Sequence, residues 1–347
     1  MLLICGMRLL IAFLIIFINC SFLFSQQRPY YTQYILNTFI LNPAVAGIEN
    51  YTDIKMSHRR QWIGIDGAPV TTYLTVQGPL RKNTLGRENP TSFHPTSENP
   101  RGRQYWNDYT STDPHAGIGF TILNDRTGPL NRFSATAAYA YHLPLTRRIS
   151  LSAGIAAGIQ NLRLNTSQLY FGQNTEIDPA IAGTGILNSW KGDINAGIWL
   201  YSVNFFAGIA AQNIIPEEFA YVKDTIKRET ARLVPHLFLT AGYRFLLEED
   251  INFLPSIMIK YLQPGIISYD VNAKWQYRDF LWVGGSYRYK DGYAAMLGIN
   301  ISNTFNVGYS YDQTTSGLKT VSRGSHEILV GFLIGNNYGD WCPRNIW

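Results

Sequence analysis

The feature that most constrains this chain is a two-residue period. In Asp270-Val271-Asn272-Ala273-Lys274-Trp275-Gln276-Tyr277 the odd positions are apolar and the even ones polar. Alternation of this kind gives a strand with one greasy and one wet face. The same rhythm sets Phe305, Val307, Tyr309 and Tyr311 against Asn306, Gly308, Ser310 and Asp312. It also places Tyr293, Ala295, Leu297, Ile299 and Ile301 on one face. Leu237, Leu239, Ala241, Tyr243 and Phe245 alternate with His236, Phe238, Thr240, Gly242 and Arg244, where Phe238 breaks the pattern. Alternation fits a soluble barrel, greasy inside, and a membrane barrel, greasy outside, equally well.

The first residues favour the membrane. Arg8 is followed by an apolar run from Leu9 to Ile18, then Asn19-Cys20-Ser21, and the chain turns polar at Gln26-Gln27-Arg28. These are the parts of a secretory leader, with a cut expected after Ser25. A membrane anchor is the bland alternative, but the run is short and lacks a basic flank after it. A lipoprotein reading at Cys20 lacks small residues before the cysteine. Cys5 and Cys20 would leave with the leader, so Cys342 alone would remain and the fold must be held by strand pairing.

Composition agrees. Charged residues make up 15% and aromatics 14%, with 22 Tyr and 30 Gly, which suits a barrel with aromatic girdles and closely packed strands. The net charge of +5 is mild and scattered, which argues against a nucleic-acid partner. Past the leader no apolar run is long enough for a helical span, so any membrane crossing must use strands. Tyr287, Tyr289, Tyr309, Tyr311, Trp199 and Tyr201 sit near strand ends, as girdle residues would.

The fold class expected is all-β: an outer-membrane barrel of about fourteen antiparallel strands. The divisions are a leader at 1–25, a pre-barrel periplasmic segment at 26–50, the barrel at 51–334 and a tail at 335–347. Strands are expected near 51–60, 68–79, 115–124, 132–142, 149–163, 192–201, 203–212, 235–247, 252–263, 267–278, 280–290, 293–302, 304–313 and 324–334. Alternate connections are tight, and those between them are often long (164–191, 213–234, 314–323). That asymmetry puts both termini in the periplasm. Residues 80–114 break the rule, and read either as a disordered insertion or as a periplasmic arm for a partner. In 213–234, Phe219, Val222 and Ile226 recur at helical spacing, suggesting a short helix on the rim or a lid. The segment 26–50, with Tyr30, Tyr31, Tyr34, Leu36 and Phe39, is too apolar for a free linker. It must pack on the barrel base, enter the lumen or meet a partner.

No catalytic arrangement is visible: there is no nucleophile elbow, zinc-ligand pair or phosphate loop. His58, His115, His142, His236 and His326 fall on separate strands. Gly117, Gly119, Gly154 and Gly158 read as places of close approach between strands and their neighbours. No enzyme activity, cofactor or metal is expected.

Several blocks carry a family resemblance. Gln33-Tyr34-Ile35-Leu36-Asn37 with Leu41-Asn42-Pro43-Ala44-Val45-Ala46-Gly47 resembles the opening of the PorP/SprF family of the Bacteroidetes type IX secretion system. Arg60-Gln61-Trp62-Ile63-Gly64 with Gly67-Ala68-Pro69, then Asn124-Asp125-Arg126-Thr127-Gly128-Pro129, are similar to further family blocks. So are Gly308-Tyr309-Ser310-Tyr311-Asp312, Gly324-Ser325-His326-Glu327-Ile328 and Cys342-Pro343-Arg344. The long 80–114 insertion departs from the pattern. The resemblance implies an outer-membrane protein, in contact with outer-membrane lipid, that supports secretion of particular cargo proteins, sometimes linked to gliding. It also implies periplasmic secretion-ring and peptidoglycan-binding components as partners. Read physically, Asn42-Pro43 and Gly67-Ala68-Pro69 are turn chemistry. A diffusion porin or small-molecule transporter is the competing function, and it requires an open lumen. A secreted soluble β-protein is a third.

Overall fold

The computed structural model describes residues 31–80, 103–168, 186–215, 218–219, 231–232, 234–262, 265–278 and 280–336. The expected leader, the tail beyond Asn336 and Cys342 lie outside these residues. Fourteen antiparallel strands close into a barrel. They are β1 (Thr52–Arg60), β2 (Val70–Pro79), β3 (His115–Thr127), β4 (Leu130–Pro144), β5 (Ser150–Asn165), β6 (Ile186–Tyr201) and β7 (Phe205–Gln212). Then follow β8 (His236–Tyr243, continued by Phe245–Leu246), β9 (Ile251–Leu262), β10 (Ile266–Tyr277) and β11 (Leu281–Arg288). The last three are β12 (Gly292–Ser302), β13 (Phe305–Thr314) and β14 (Ser325–Ile334). Each strand pairs with its sequence neighbours, and β1 pairs with β14 from Thr52↔Ile334 to Arg60↔His326, which closes the ring.

The alternation is inside out. Outward positions such as Ile155, Ile198, Leu239, Val271 and Leu297 are exposed and apolar, while Asp53, Lys55, Ser57, Arg59, Asn272 and Lys274 are buried inside. On β10, Ile267, Tyr269, Val271, Ala273, Trp275 and Tyr277 face outward. Ten residues at about 3.4 Å per residue, tilted by about 40°, span about 25 Å. That is the thickness of the apolar band of an outer-membrane barrel. Tyr269 stacks on Tyr289 at one edge of this band, and Trp275 packs against Phe253 at the other. Trp199 and Tyr201 depart from the girdle expectation. The parity of β6, with Ile194, Ile198 and Leu200 outward, turns both into the lumen, where each is 1% exposed.

The end at which β1 begins and β14 finishes carries short turns at 145–149, 202–204, 247–250, 278–280 and 303–304. The far end carries the long connections 166–185, 213–235 and 315–324, but also connections of three residues at 263–265 and 289–291, while the longest connection, 80–114, lies at the terminal end. The far end further has a two-residue turn at Gly128-Pro129. That turn makes β3 and β4 longer than their alternation suggested, because a Gly-Pro pair reads as loop in sequence yet fits a tight hairpin when Gly128 takes φ 54°. The strand is broken at Arg244, whose backbone N–H bonds Asn204 O at 2.7 Å. Within 213–234, Glu218–Phe219 pairs antiparallel with Ala231–Arg232, so Phe219 lies in a strand pair and not on a helix. Val222 and Ile226 fall outside the described residues.

An arginine placed outward at the middle of β10 (Val271→Arg) is expected to cost about 2–4 kcal/mol, against about 0–1 for Ile267→Arg at the band edge. Urea unfolding in lipid vesicles measures both, and equal costs would contradict the apolar belt.

Candidate functional site

The lumen is not empty. Residues 31–51 enter it as three short 3-10 turns, Thr32–Leu36, Thr38–Ile40 and Pro43–Val45. In this stretch only Leu36 is more than marginally exposed. Of the three places open to this segment, base, lumen or partner, it occupies the lumen. The plug runs along the barrel and not merely at its mouth. Thr32 lies level with Arg59 and Glu327, near the far end, and Gly47 reaches His115 at the terminal end, where β1 starts.

A short segment without helix or sheet ladders leaves its backbone groups needing partners. The plug's own turns supply part of them and the wall several more, while plug side chains bond the wall in turn. Gln212 Nε2 donates to Ile40 O and Leu41 O at 2.9 Å each, and Asn42 Nδ2 donates to Ile198 O at 3.1 Å. The Ser152 hydroxyl donates to Ala44 O at 2.7 Å, and Asn37 Nδ2 to the Thr75 hydroxyl at 2.9 Å. Asn272 Nδ2 donates to the Tyr34 hydroxyl at 2.6 Å, and Gln33 Nε2 to Glu327 O at 2.9 Å. Asn42 also caps the turn it begins, accepting from Ala44 N at 2.9 Å, with Pro43 in the first position where its missing N–H costs nothing.

Two anchors hold the plug's ends. Near the far end Arg59 reaches across to Asp312 and, at 3.2 Å, to Glu327, with both carboxylates and the guanidinium buried. Thr32 completes the cluster: its N–H donates to Glu327 Oε2 at 2.8 Å and its hydroxyl to Asp312 Oδ2 at 2.5 Å, while Arg59 Nη1 donates to its Oγ1 at 2.7 Å. The Ser57 hydroxyl satisfies the other Glu327 oxygen at 3.0 Å. At the terminal end His115 and His142 stack face to face, with ring centroids 4.6 Å apart. Their Nε2 atoms meet successive plug carbonyls, Gly47 O at 3.2 Å and Ala46 O at 2.8 Å. A carbonyl only accepts, so Nε2 is the protonated nitrogen of His142, whose Nδ1 faces the Tyr201 hydroxyl at 3.0 Å; His115 faces a second carbonyl, Asp113 O, from its Nδ1 at 2.9 Å.

Inward apolar residues pack the rest. Trp199 stacks on Phe206, 4.9 Å between centroids, and they form one cluster with Phe39, Ala44 and Ala46. Phe238, the break in the alternation of β8, packs with Tyr34, Ile35 and Leu41. A void among Thr38, Asn42, Trp199, Phe238 and Thr240 is about 10 Å³, room for about one water. Gly117 and Gly154 bring the wall close, since a Cβ on either would strike the backbone of Ala46 or Ala44. Both are glycines that the sequence marked for close approach.

The motif residues separate into two groups. Gln33, Tyr34, Asn42, Pro43, Ala44 and Gly47 belong to the plug. Gln61, Trp62, Gly64, Gly67, Ala68 and Pro69 form the β1–β2 loop at the far rim, joined there by Asp125, Gly128 and Pro129; Arg60 ends β1 and points outward. The loop laces three hairpins together. Ile63 N bonds Gly324 O at 2.8 Å and Arg323 N bonds Ile63 O at 2.7 Å on one side. On the other, Gly128 N bonds Gly67 O at 2.8 Å, and the Thr71 hydroxyl bonds Asp125 at 2.6 Å. Both Gly67 and Gly128 have positive φ, 70° and 54°, where other residues are strained.

Part of the 80–114 connection is ordered. Arg103–Asp108 is a short helix (α1) lying over the terminal end. Ser111 N bonds Arg147 O at 2.8 Å, Arg148 Nη2 bonds Asn107 O at 2.8 Å, and Arg103 N bonds Glu249 at 2.8 Å. Arg244 lies over the Trp106 ring at 5.7 Å, beside buried Tyr109 and Val203. Residues 103–114 are therefore a structured arm on the turns, and the reading of the whole insertion as disordered fails for them. Residues 81–102 are outside the described set.

Sequence reasoning missed Arg59 and named Asp312 and Glu327 only as members of family blocks, without a role, since they lie 253 or more positions from the Arg59 they pair with. His115 and His142 were within reach: counting equal steps back and forward from Gly128-Pro129 pairs them, and the register confirms it. Among the described residues no three His, Cys, Asp or Glu side chains gather as a metal site.

Two substitutions test the plug. Arg59→Ala leaves two buried carboxylates facing each other and should cost about 3–5 kcal/mol. Gly154→Val should cost about 1–3 kcal/mol by forcing Ala44 off the wall. Gly285→Val, where a Cβ meets nothing nearer than 3.8 Å, should be close to neutral. Urea unfolding followed by Trp fluorescence separates them, and a silent Gly154→Val would contradict the contact.

A family model described as type IX secretion system membrane protein PorP/SprF matches residues 23–332. No curated protein matches the chain. Similar solved structures include the CymD monoaromatic hydrocarbon channel, at 12% identity over 88% of this chain and 94% of that one, with a TM-score of 0.44. The Ralstonia pickettii toluene transporter TbuX is similar at 10% identity over 85% and 92%, TM-score 0.46. A Pseudomonas aeruginosa FadL homologue matches at 9% identity over 88% and 93%, TM-score 0.43. The family match takes in the plug, the laced rim and every strand to within two residues of the end of β14, and the chain belongs to the PorP/SprF family of type IX secretion system membrane proteins.

Proposed function

We propose that this outer-membrane barrel supports the secretion or surface display of specific cargo proteins, gliding adhesins among them, without passing them through its own lumen. In this reading it is not an enzyme, and it works through its two ends. The terminal end, with the α1 arm over its turns, faces the periplasm and meets secretion-ring and peptidoglycan-binding components. The far end, with the laced rim and the long loops, faces the cell exterior.

The observation that carries this reading is the filled lumen. A porin or small-molecule transporter needs a continuous wet path, whereas here residues 31–51 are buried against inward wall residues, and the pocket among Thr38, Asn42, Trp199, Phe238 and Thr240 has room for about one water. With no path inside, the surfaces remain as the places where cargo or machine can engage. The short-turn and long-loop asymmetry supports the orientation.

Purified full-length protein in planar bilayers is expected to give no steady conductance, and a variant lacking residues 31–48 to give open steps. Steady steps from the intact chain would favour the porin. In cells, deleting the gene is expected to abolish surface display of a particular cargo while small-solute uptake continues; unchanged display of all cargo would overturn the secretion role.

A further inference from the structure

The outward face of the strands carries almost no charge. Register and parity put only three formally charged side chains there among the described residues: Arg60, Arg126 and Arg163. All three are exposed, and all lie at or near the far ends of their strands: Arg60 ends β1, Arg126 is next to last in β3, and Arg163 is two short of the end of β5. No acidic residue shares this face, and no ion pair holds any of the three among the described residues.

They are also in one row. Cross-strand pairing runs His326↔Arg60, Arg60↔Val70, Val70↔Arg126, Arg126↔Asn131 and Asn131↔Arg163. An arginine thus recurs on every second strand, about 10 Å apart at the usual strand spacing. One outward step nearer the membrane middle, His58, Thr72 and Asn124 pair in sequence across β1, β2 and β3, and His58 Nδ1 lies 2.8 Å from the Thr72 hydroxyl. On β10 and β12 the outward face stays apolar or aromatic to the far end, through Ile267, Tyr269 and Tyr293. The sector from β14 to β3 is therefore a polar notch cut into the apolar belt at headgroup height.

A guanidinium among apolar neighbours at a membrane edge is stabilised by a countercharge, and its planar fork matches a phosphoryl group. We propose that Arg60 and Arg126, flanked by His326 and Arg163, seat the phosphorylated headgroup of an outer-leaflet lipid against β1–β3. The occupant is a membrane lipid because the notch opens sideways onto the apolar belt, where acyl chains continue the contact over Met56, Leu74 and Phe120. The seat fixes a lipid beside the laced β1–β2 rim, whose first residue is Gln61.

The test is native mass spectrometry of the full-length protein in mild detergent, supplied with bisphosphorylated lipid A or with the same glycolipid after phosphatase treatment. The intact protein should retain the phosphorylated form at least about tenfold better. The double variant Arg60→Gln, Arg126→Gln should lose that preference, while Lys290→Gln, a cation at another turn of the same end, should keep it. Excess inorganic phosphate should not displace the lipid; if it does, the notch is a free-anion site. Equal retention of both glycolipids by the intact protein, or unchanged preference in the double variant, would overturn the proposal. The comparison of the two lipids on the intact protein holds even if the variant fails to fold, which heat-modifiable gel migration reports.

Discussion

A chain crossing lipid has no water to pair with its backbone, so every N–H and C=O must find a partner within the protein. The nine-residue ladder between β1 and β14 meets that demand by removing the last open edge, and the rest of the structure depends on it. Closure makes the outward face apolar. It also creates a lumen lined with the polar half of each alternating strand, where Asp53, Lys55, Arg59, Lys260, Asp270, Lys274, Arg288 and Glu327 are all buried.

A lumen of that kind is stable when filled with water or with protein that answers its hydrogen bonds. Residues 31–51 do the second. Their 3-10 turns satisfy part of their own backbone, including the N–H groups of Asn37, Ile40, Leu41, Asn42, Val45, Ala46 and Ile48. From the wall, Gln212, Ser152 and the two stacked histidines meet the plug carbonyls of Ile40, Leu41, Ala44, Ala46 and Gly47, and the Asn42 side chain donates in return to carbonyls of β6 and β7. Apolar plug residues find the inward exceptions to alternation, such as Phe238, Trp199 and Trp282. The buried Arg59 cluster is costly to desolvate, and its use is positional: it fixes where the plug begins relative to the wall.

The strands were readable because their period is local: ten residues suffice to show two faces, and all fourteen lie where alternation put them, to within a few residues in most cases. Parity was harder, as Trp199 and Tyr201 show, since an aromatic near a strand end reads as girdle until the neighbouring isoleucines settle which face is out. The plug was readable only as a segment too apolar to be free. Its destination depends on partners spread over most of the barrel, with Thr32 meeting Asp312 280 positions away. The motif residues were found as motifs. That they divide into a plug group and a rim group follows from closure, which no local pattern expresses. The Phe238 irregularity was visible, and its cause lay in the plug.

The central claim is that residues 31–51 fill the lumen of the folded barrel. Hydrogen–deuterium exchange of the full-length protein in lipid nanodiscs tests it directly. The account predicts that amides in 31–48 exchange as slowly as those of β5 and β6, whereas the exposed turn at 145–149 exchanges fast. Rapid exchange across 31–48 with the strands still protected would place the segment outside the lumen and contradict the account.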